Sequence, residues 1–203
     1  KESPIMGVGG FAGGVGSNLV AGVGDKYTYV DTVFNTQLYT STNSGADFKV
    51  TNNIDNSGKG GFLWYKDRIG TSYHLNWDTE RGSNKYIYTN VNAGQSTGEL
   101  LKSFDSDGYT IKGGTTLVDP GRDNVLWNFR KSPGFFDIVS YTGNGVAYRA
   151  IDHSLGCLPG MLMVKRTDTN GDWQVLNRVN YQATTDYSSL KLNDTAGSYD
   201  SWS

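Results

Sequence analysis

The sequence predicts an all-β protein built from two copies of one repeat, the second of them incomplete. Three observations lead there: a composition that disfavours helix, short alternating apolar runs between polar turns, and self-similarity between the two halves. Among 203 residues Asp outnumbers Glu 17 to 3, Ala occurs only 8 times, and Gly (27), Thr (19), Ser (18) and Asn (17) fill much of the chain. Asp, Asn, Ser and Gly favour turns, by bonding to the local backbone or by tolerating positive φ. The 13 Tyr, 8 Phe and 5 Trp suit a pleated, half-buried surface.

The first element is a glycine-rich arm over residues 1–30. Residues 5–24 carry no charge, and Gly9 and Gly13 have the spacing of a transmembrane helix-dimer motif. Eight of those twenty residues are Gly, however, and each costs about 1 kcal/mol in a helix relative to Ala. A membrane span is therefore not expected. The arm reads as an extended, adaptable segment ordered against a neighbouring subunit, because glycine lets backbones approach closely. Gly7, Gly9, Gly10, Phe11, Gly13, Gly14 and Gly16 are its candidate assembly contacts.

The repeat follows, one copy over 31–131 and a truncated one over 132–203. Gly61-Phe62-Leu63-Trp64-Tyr65-Lys66 matches Gly160-Met161-Leu162-Met163-Val164-Lys165. After a polar turn in each, Tyr73-His74-Leu75-Asn76-Trp77 matches Trp173-Gln174-Val175-Leu176-Asn177, and Ile87 to Asn90 matches Leu190 to Asn193. Upstream, Val33-Phe34 to Tyr39-Thr40 matches Phe135-Phe136 to Tyr141-Thr142. Alternate residues of a strand face opposite sides. The first matched run is apolar on both faces in both copies and is expected to be central and covered twice. In the second, Tyr73, Leu75 and Trp77 share a face, and His74 falls where Gln174 sits, which predicts a solvated strand residue. The first copy continues through Ser103-Phe104-Asp105-Ser106-Asp107-Gly108-Tyr109-Thr110-Ile111 and closes with Val125-Leu126-Trp127-Asn128-Phe129-Arg130. The second copy reaches neither feature, which suggests a longer polypeptide or strands supplied by a neighbour.

Chemistry-bearing signals are sparse. A formal net charge of −2 offers no field to collect nucleic acid. The single Cys157 excludes an internal disulfide and reads as a packed apolar residue. Asp105-Ser106-Asp107-Gly108 and Asp168-Thr169-Asn170-Gly171-Asp172 resemble the opening of a calcium loop. The bidentate Glu required at position twelve is instead Thr116 or Val179, so both read as turns, with a calcium site of a different type as the alternative. No phosphate loop, nucleophile elbow or paired metal histidines occur, and Glu2, Glu80 and Glu99 single out no glycosidase pair. No catalytic, cofactor or metal residue is assigned, and no enzyme activity is expected. Trp64, Tyr73, Trp77, Trp127 and Trp173 are candidate sugar contacts if exposed, although strand parity places most aromatic side chains on core faces.

The run Lys131-Ser132-Pro133-Gly134-Phe135-Phe136-Asp137-Ile138-Val139-Ser140-Tyr141-Thr142-Gly143-Asn144-Gly145 is distinctive. With His153, Leu155-Gly156, Pro159-Gly160, Val164-Lys165-Arg166 and Trp173, it resembles a repeated domain of unknown function from virion structural proteins of marine tailed phages. The first copy is similar in GGFLWYKDR, Asp78-Thr79-Glu80-Arg81-Gly82 and SFDSDGYTI. The resemblance implies lectin-like β-sandwich repeats in a tail-fibre, tail or capsid-surface protein, with no catalytic residues to carry over. His153 matches the pattern as a candidate ligand contact; the first copy has Ser57-Gly58-Lys59 instead of His153-Ser154-Leu155. The expected protein is the proximal part of a tail fibre, located in the virion tail. Its expected partners are other virion subunits, as a homotrimer by family habit, and a host surface glycan. A capsid-decorating protein and a polysaccharide-degrading tail enzyme are the alternatives.

Overall fold

The computed structural model describes residues 20–21, 27–42, 45–178, 188–195 and 199–200. The arm contacts expected at Gly7, Gly9, Gly10, Phe11, Gly13, Gly14 and Gly16 lie outside the described residues.

The protein is all-β, with antiparallel pairing throughout. A two-residue ribbon, β1 (Val20–Ala21) with β2 (Tyr27–Thr28), precedes β3 (Phe34–Thr40) and β4 (Phe48–Thr51). The one α-helix among the described residues is a single turn, α1 (Asn56–Lys59). Then come β5 (Gly61–Asp67), β6 (Leu75–Asp78), β7 (Lys85–Tyr88), β8 (Ser96–Thr97), β9 (Leu101–Asp105), β10 (Gly108–Ile111) and β11 (Asp123–Arg130). The second half contributes β12 (Met161–Val164), β13 (Gln174–Asn177), β14 (Ser188–Lys191) and β15 (Tyr199–Asp200).

Strands of the first half form a six-stranded sheet, β3-β11-β5-β6-β7-β8, and a three-stranded sheet, β4-β10-β9. Their shared core explains both. Leu63, Tyr65, Leu75, Trp77 and Leu126 of the larger sheet pack against Val50, Leu101, Tyr109 and Ile111 of the smaller, with Leu117 and Val118 added from a 3-10 turn. As two-face apolarity predicts, β5 is central, between β11 and β6. Its outward residues join an aromatic ladder: Phe62 pairs with Phe129 and Trp64 with Trp127, and Phe136 stacks onto Phe62 and Phe129.

Two close approaches fix the smaller sheet. Asp105 and Gly108 flank a two-residue turn, as the sequence predicts for a tight hairpin. A Cβ on Gly108, at φ +154°, would sit 2.0 Å from the Val50 carbonyl oxygen on β4. Only glycine permits that contact. The buried Asn56 of α1 donates its amide to the Gly108 carbonyl at 2.7 Å and ties the helical turn to the sheet.

The second half is a four-stranded meander, β12-β13-β14-β15. Its β12–β13 ladder repeats the β5–β6 ladder at an offset of 99 residues, and β14 follows β7 at 103. Phe62↔Asp78, Leu63↔Trp77, Trp64↔Asn76 and Tyr65↔Leu75 recur as Met161↔Asn177, Leu162↔Leu176, Met163↔Val175 and Val164↔Gln174. The next pairing recurs too: Leu75↔Tyr88 and Asn76↔Ile87 become Gln174↔Lys191 and Val175↔Leu190.

Four expectations need correction. The common offset places His74 opposite Trp173, one residue away from the expected match with Gln174. His74 is half-buried, and its Nδ1 accepts the Trp64 indole N–H at 3.2 Å. Strand β12 is an edge strand rather than a central one, with Met161 59% and Leu162 47% exposed. The counterpart expected for β3 is irregular from Asp137 to Thr142. In the first half β3 is held by β11 alone, and no strand equivalent to β11 occurs among the described residues of the second half. Cys157 is exposed rather than packed, because residues 151–160 form no strand and cover no core.

Candidate functional site

The residues that carry the motifs are mostly occupied with holding corners. In the Asp78–Gly82 corner, Arg81 donates Nε to Asp78 Oδ2 at 2.5 Å and Nη2 to Asn76 Oδ1 at 2.9 Å, all on buried or nearly buried groups. Gly82 turns the chain at φ +91°, and Thr79 N–H donates to the Gly61 carbonyl. Glu80 reaches across to Lys131, whose ammonium also meets Asp137 at 3.2 Å.

That trio anchors the segment after β11 and lines a shallow polar groove of about 290 Å³ with Asp152 and His153. Burial alone would raise Asp137, but the backbone N–H groups of Ser154 and Ile138 and the Lys131 ammonium hold it below the usual carboxylate range. Burial likewise opposes the Lys131 charge, yet Glu80 and Asp137 outweigh it and raise the amine. A general acid needs its carboxyl raised, so Asp137 is tuned in the opposite sense. His153, the sequence candidate, lies in this groove with Nδ1 accepting Leu155 N–H at 3.3 Å. No group of three or more His, Cys, Asp or Glu side chains able to hold a metal ion occurs among the described residues.

The tryptophan candidates separate by burial. Trp77 is 1% exposed, inside the core. Trp173 is 6% exposed, with its indole N–H donated to the Tyr88 carbonyl at 2.8 Å. Neither presents a ring to solvent. Trp64 stays half-exposed on the outer aromatic ladder, edge-on to Trp127 at 5.9 Å.

A second depression, of about 400 Å³, was not anticipated from sequence as a cleft, although Tyr73, one of the aromatic candidates, lines it. It opens at one end of the first half, between the β5–β6 loop, the end of β7 and the 3-10 turn at Thr116–Val118. Tyr65, Tyr73, Leu75, Tyr88 and Leu117 give it apolar walls, and Arg122 stands among them. Tyr73 is 52% exposed and meets Tyr88 edge-on at 5.1 Å. The loop that carries Tyr73 is held from within. Lys66 Nζ donates to the carbonyls of Gly70 and Ser72, and the Asp67 carboxylate accepts the N–H groups of Ile69 and Gly70. Asp67, 2% exposed, also pairs with Arg122. Burial would raise this carboxyl, but the two backbone N–H groups and the Arg122 charge hold it low. The signal for this cleft lay in Tyr73, grouped by parity with the core although it precedes the strand that starts at Leu75.

The junction between halves is built on the β7–β8 loop. Gln95 N–H donates to the Thr167 carbonyl, Gly171 N–H to the Asn92 carbonyl, and Gly94 N–H to Asn170 Oδ1. With the Trp173 bond to Tyr88, the Asp168–Asp172 turn thus becomes a dock.

These features define an antiparallel sheet protein whose marked residues serve corners and a junction, with one aromatic cleft open to solvent. The chain belongs to the family described as Domain of unknown function (DUF7483), which matches residues 31–202 and so spans both halves. Searches of curated proteins and of solved structures returned no match. No helix among the described residues is long and apolar enough to cross a membrane.

Proposed function

We propose that this chain is a structural protein of a tailed-phage virion, the proximal part of a tail fibre engaged in host attachment. It uses one lectin-like β-sandwich unit twice, the second time in open form. The observation that carries the reading is the recurrence of the β5–β6–β7 pairing pattern in β12–β13–β14. A repeat docked head to tail onto its predecessor is how an elongated shaft is assembled from small units.

Two further features support it. Strand β12 has only β13 as partner among the described residues, whereas its counterpart β5 carries β11 on the other side. A bare edge beside exposed Met161 and Leu162 is a template for strand addition by another segment or subunit. The Glu80–Lys131–Asp137 trio favours a structural role over depolymerisation, because the Ser154 and Ile138 N–H groups and the Lys131 ammonium hold Asp137 low and so leave it unsuited to act as the general acid of a carboxylate pair. In this reading the glycine arm anchors the chain to the tail or to neighbouring chains of a trimer, and the partner at the far end is a host surface glycan.

Immunogold labelling of purified particles with an antibody to this chain tests the proposal. Label at the tail-proximal end of fibres is expected. Label confined to the head would establish the capsid-decorating alternative. Release of reducing sugar from host polysaccharide by the purified protein would establish the enzymatic one.

A further inference from the structure

We infer that the tyrosine cleft of the first half is a saccharide-binding site for an uncharged pyranose unit. The cleft lies within a single sheet pair, so this inference stands whether or not the protein occupies a phage tail.

Three properties of the cleft select that ligand class. The first is its amphipathic lining. A pyranose presents one C–H-rich face and a rim of hydroxyls. Tyr73 and Tyr88, set edge-on at 5.1 Å, offer aromatic surface above Leu75 and Leu117, while Ser72, Thr116 and Arg122 supply hydroxyl and guanidinium groups. Tyrosine gives such area at low entropic cost, since only two side-chain torsions are fixed on binding. A purely apolar ligand would desolvate these polar groups without offering them a hydrogen bond.

The second property is charge. Arg122 pairs with the buried Asp67, and its Nε lies 3.8 Å from Asp119 Oδ2. The Asp67 and Asp119 carboxylates balance the Arg122 guanidinium and the nearby Lys66 ammonium, which leaves no positive excess for an acidic sugar. The guanidinium keeps further N–H groups in a planar fork, a geometry that matches adjacent hydroxyl oxygens.

The third is rigidity. Lys66 and Asp67 hold the Ile69–Ser72 backbone through four hydrogen bonds, so Tyr73 is positioned before any ligand arrives. The entropy lost in ordering this loop on binding is correspondingly small. Gly70 belongs to this arrangement, because a Cβ there would lie 2.7 Å from Asp67 Oδ2. A volume of about 400 Å³ falls at the lower end of small-molecule sites, roughly 300–1,000 Å³, and suits one or two sugar rings.

The test titrates the full chain with methyl glucoside, galactoside and mannoside, their β-linked disaccharides and methyl glucuronide, followed by saturation-transfer NMR and by the Tyr ring signals. Saturable binding of at least one neutral sugar is expected, with Kd of roughly millimolar order and shifts at Tyr73 and Tyr88. Tyr73→Ala, a change at a half-exposed loop residue, is expected to weaken it about tenfold or more with near-UV circular dichroism retained. Tyr148→Ala, at a 97% exposed residue outside the cleft, is expected to change nothing. Failure of every sugar to saturate, binding that survives Tyr73→Ala, or preference for the glucuronide over the glucoside would each overturn the inference. A Trp64→Ala variant that alone abolished binding would move the site to the outer aromatic ladder and overturn it equally. None of these outcomes bears on where the protein sits on a particle.

Discussion

The indole N–H of Trp173 donates to the backbone carbonyl of Tyr88 at 2.8 Å, joining the first residue before β13 to the last residue of β7. Trp173 is 6% exposed and its own backbone N–H is held by Asn193 Oδ1 at 2.8 Å. One residue thus ties into its own sheet through its backbone and docks that sheet on the first through its side chain. Trp173→Phe removes the junction bond together with part of the ring volume and is expected to cost about 1–3 kcal/mol. Trp173→Ala also leaves a cavity and is expected to cost about 3–5 kcal/mol. Hydrogen exchange should report the loss in β12 and β13, with β5 and β11 unaffected.

Gly108 and Gly121 make a matched pair of glycine tests. Gly108→Ala drives a Cβ to 2.0 Å from the Val50 carbonyl oxygen, between two paired strands. At Gly121, with φ +80°, an added Cβ would meet nothing within 4 Å, so Gly121→Ala carries backbone strain alone. Urea unfolding should give about 1 kcal/mol for Gly121→Ala and at least about 3 kcal/mol for Gly108→Ala.

Lys131 is shared between Glu80 and the nearly buried Asp137. Lys131→Met removes the charge that compensates Asp137 while retaining most of the side-chain volume. With Lys131 a quarter exposed, solvent screening reduces the loss to about 1–2 kcal/mol. The exchange protection of Ser154 N–H, which donates to Asp137 Oδ2 at 2.6 Å, should fall first.

Acid should destabilise the fold in two stages. His74 is lowered from its ordinary 6.5, first by burial and then by the Lys66 charge, so the unfolded chain binds its proton more readily. Stability attributable to His74 is therefore complete above pH 6.5 and declines as pH falls from there toward the folded value. Asp67 and Asp137 are lowered from 3.8 and lose their contributions only below that pH. Urea midpoints measured from pH 7.5 to 3 should show both declines, and His74→Gln should abolish the first alone.

Cys157 is exposed on an irregular segment. A thiol reagent should label the native protein about as fast as the unfolded chain, within roughly threefold. Protection by a larger factor would show that this segment is covered.

The first half was largely legible in sequence because local patterns there agree with tertiary pairing. Phe62–Tyr65 is apolar on both faces, and that strand is central. The Asp105–Gly108 turn chemistry matches a hairpin. The second half was less legible because the same strand-forming residues lack the partners that would cover them. Met161 and Leu162 carry a central-strand pattern on an edge, and Phe135 to Thr142 has no equivalent of β11 to lie against among the described residues. The one-residue error at His74 arose from matching apolar parity, Leu75 with Val175, where the backbone ladder keeps Leu75 in step with Gln174. The aromatic cleft was missed for a related reason. Alternation placed Tyr73 on the core face, but the strand begins two residues later, and the Lys66 and Asp67 contacts that turn the loop outward have no signature in spacing.

The claim that one pairing pattern is used twice is tested most directly by cross-strand amide and α-proton NOEs in the isotopically labelled chain. The account predicts Leu63 opposite Trp77 and, in the second sheet, Leu162 opposite Leu176 with Met163 opposite Val175. NOEs placing Leu162 opposite Val175 or Asn177, or the absence of an antiparallel ladder between residues 161–164 and 174–177, would contradict it.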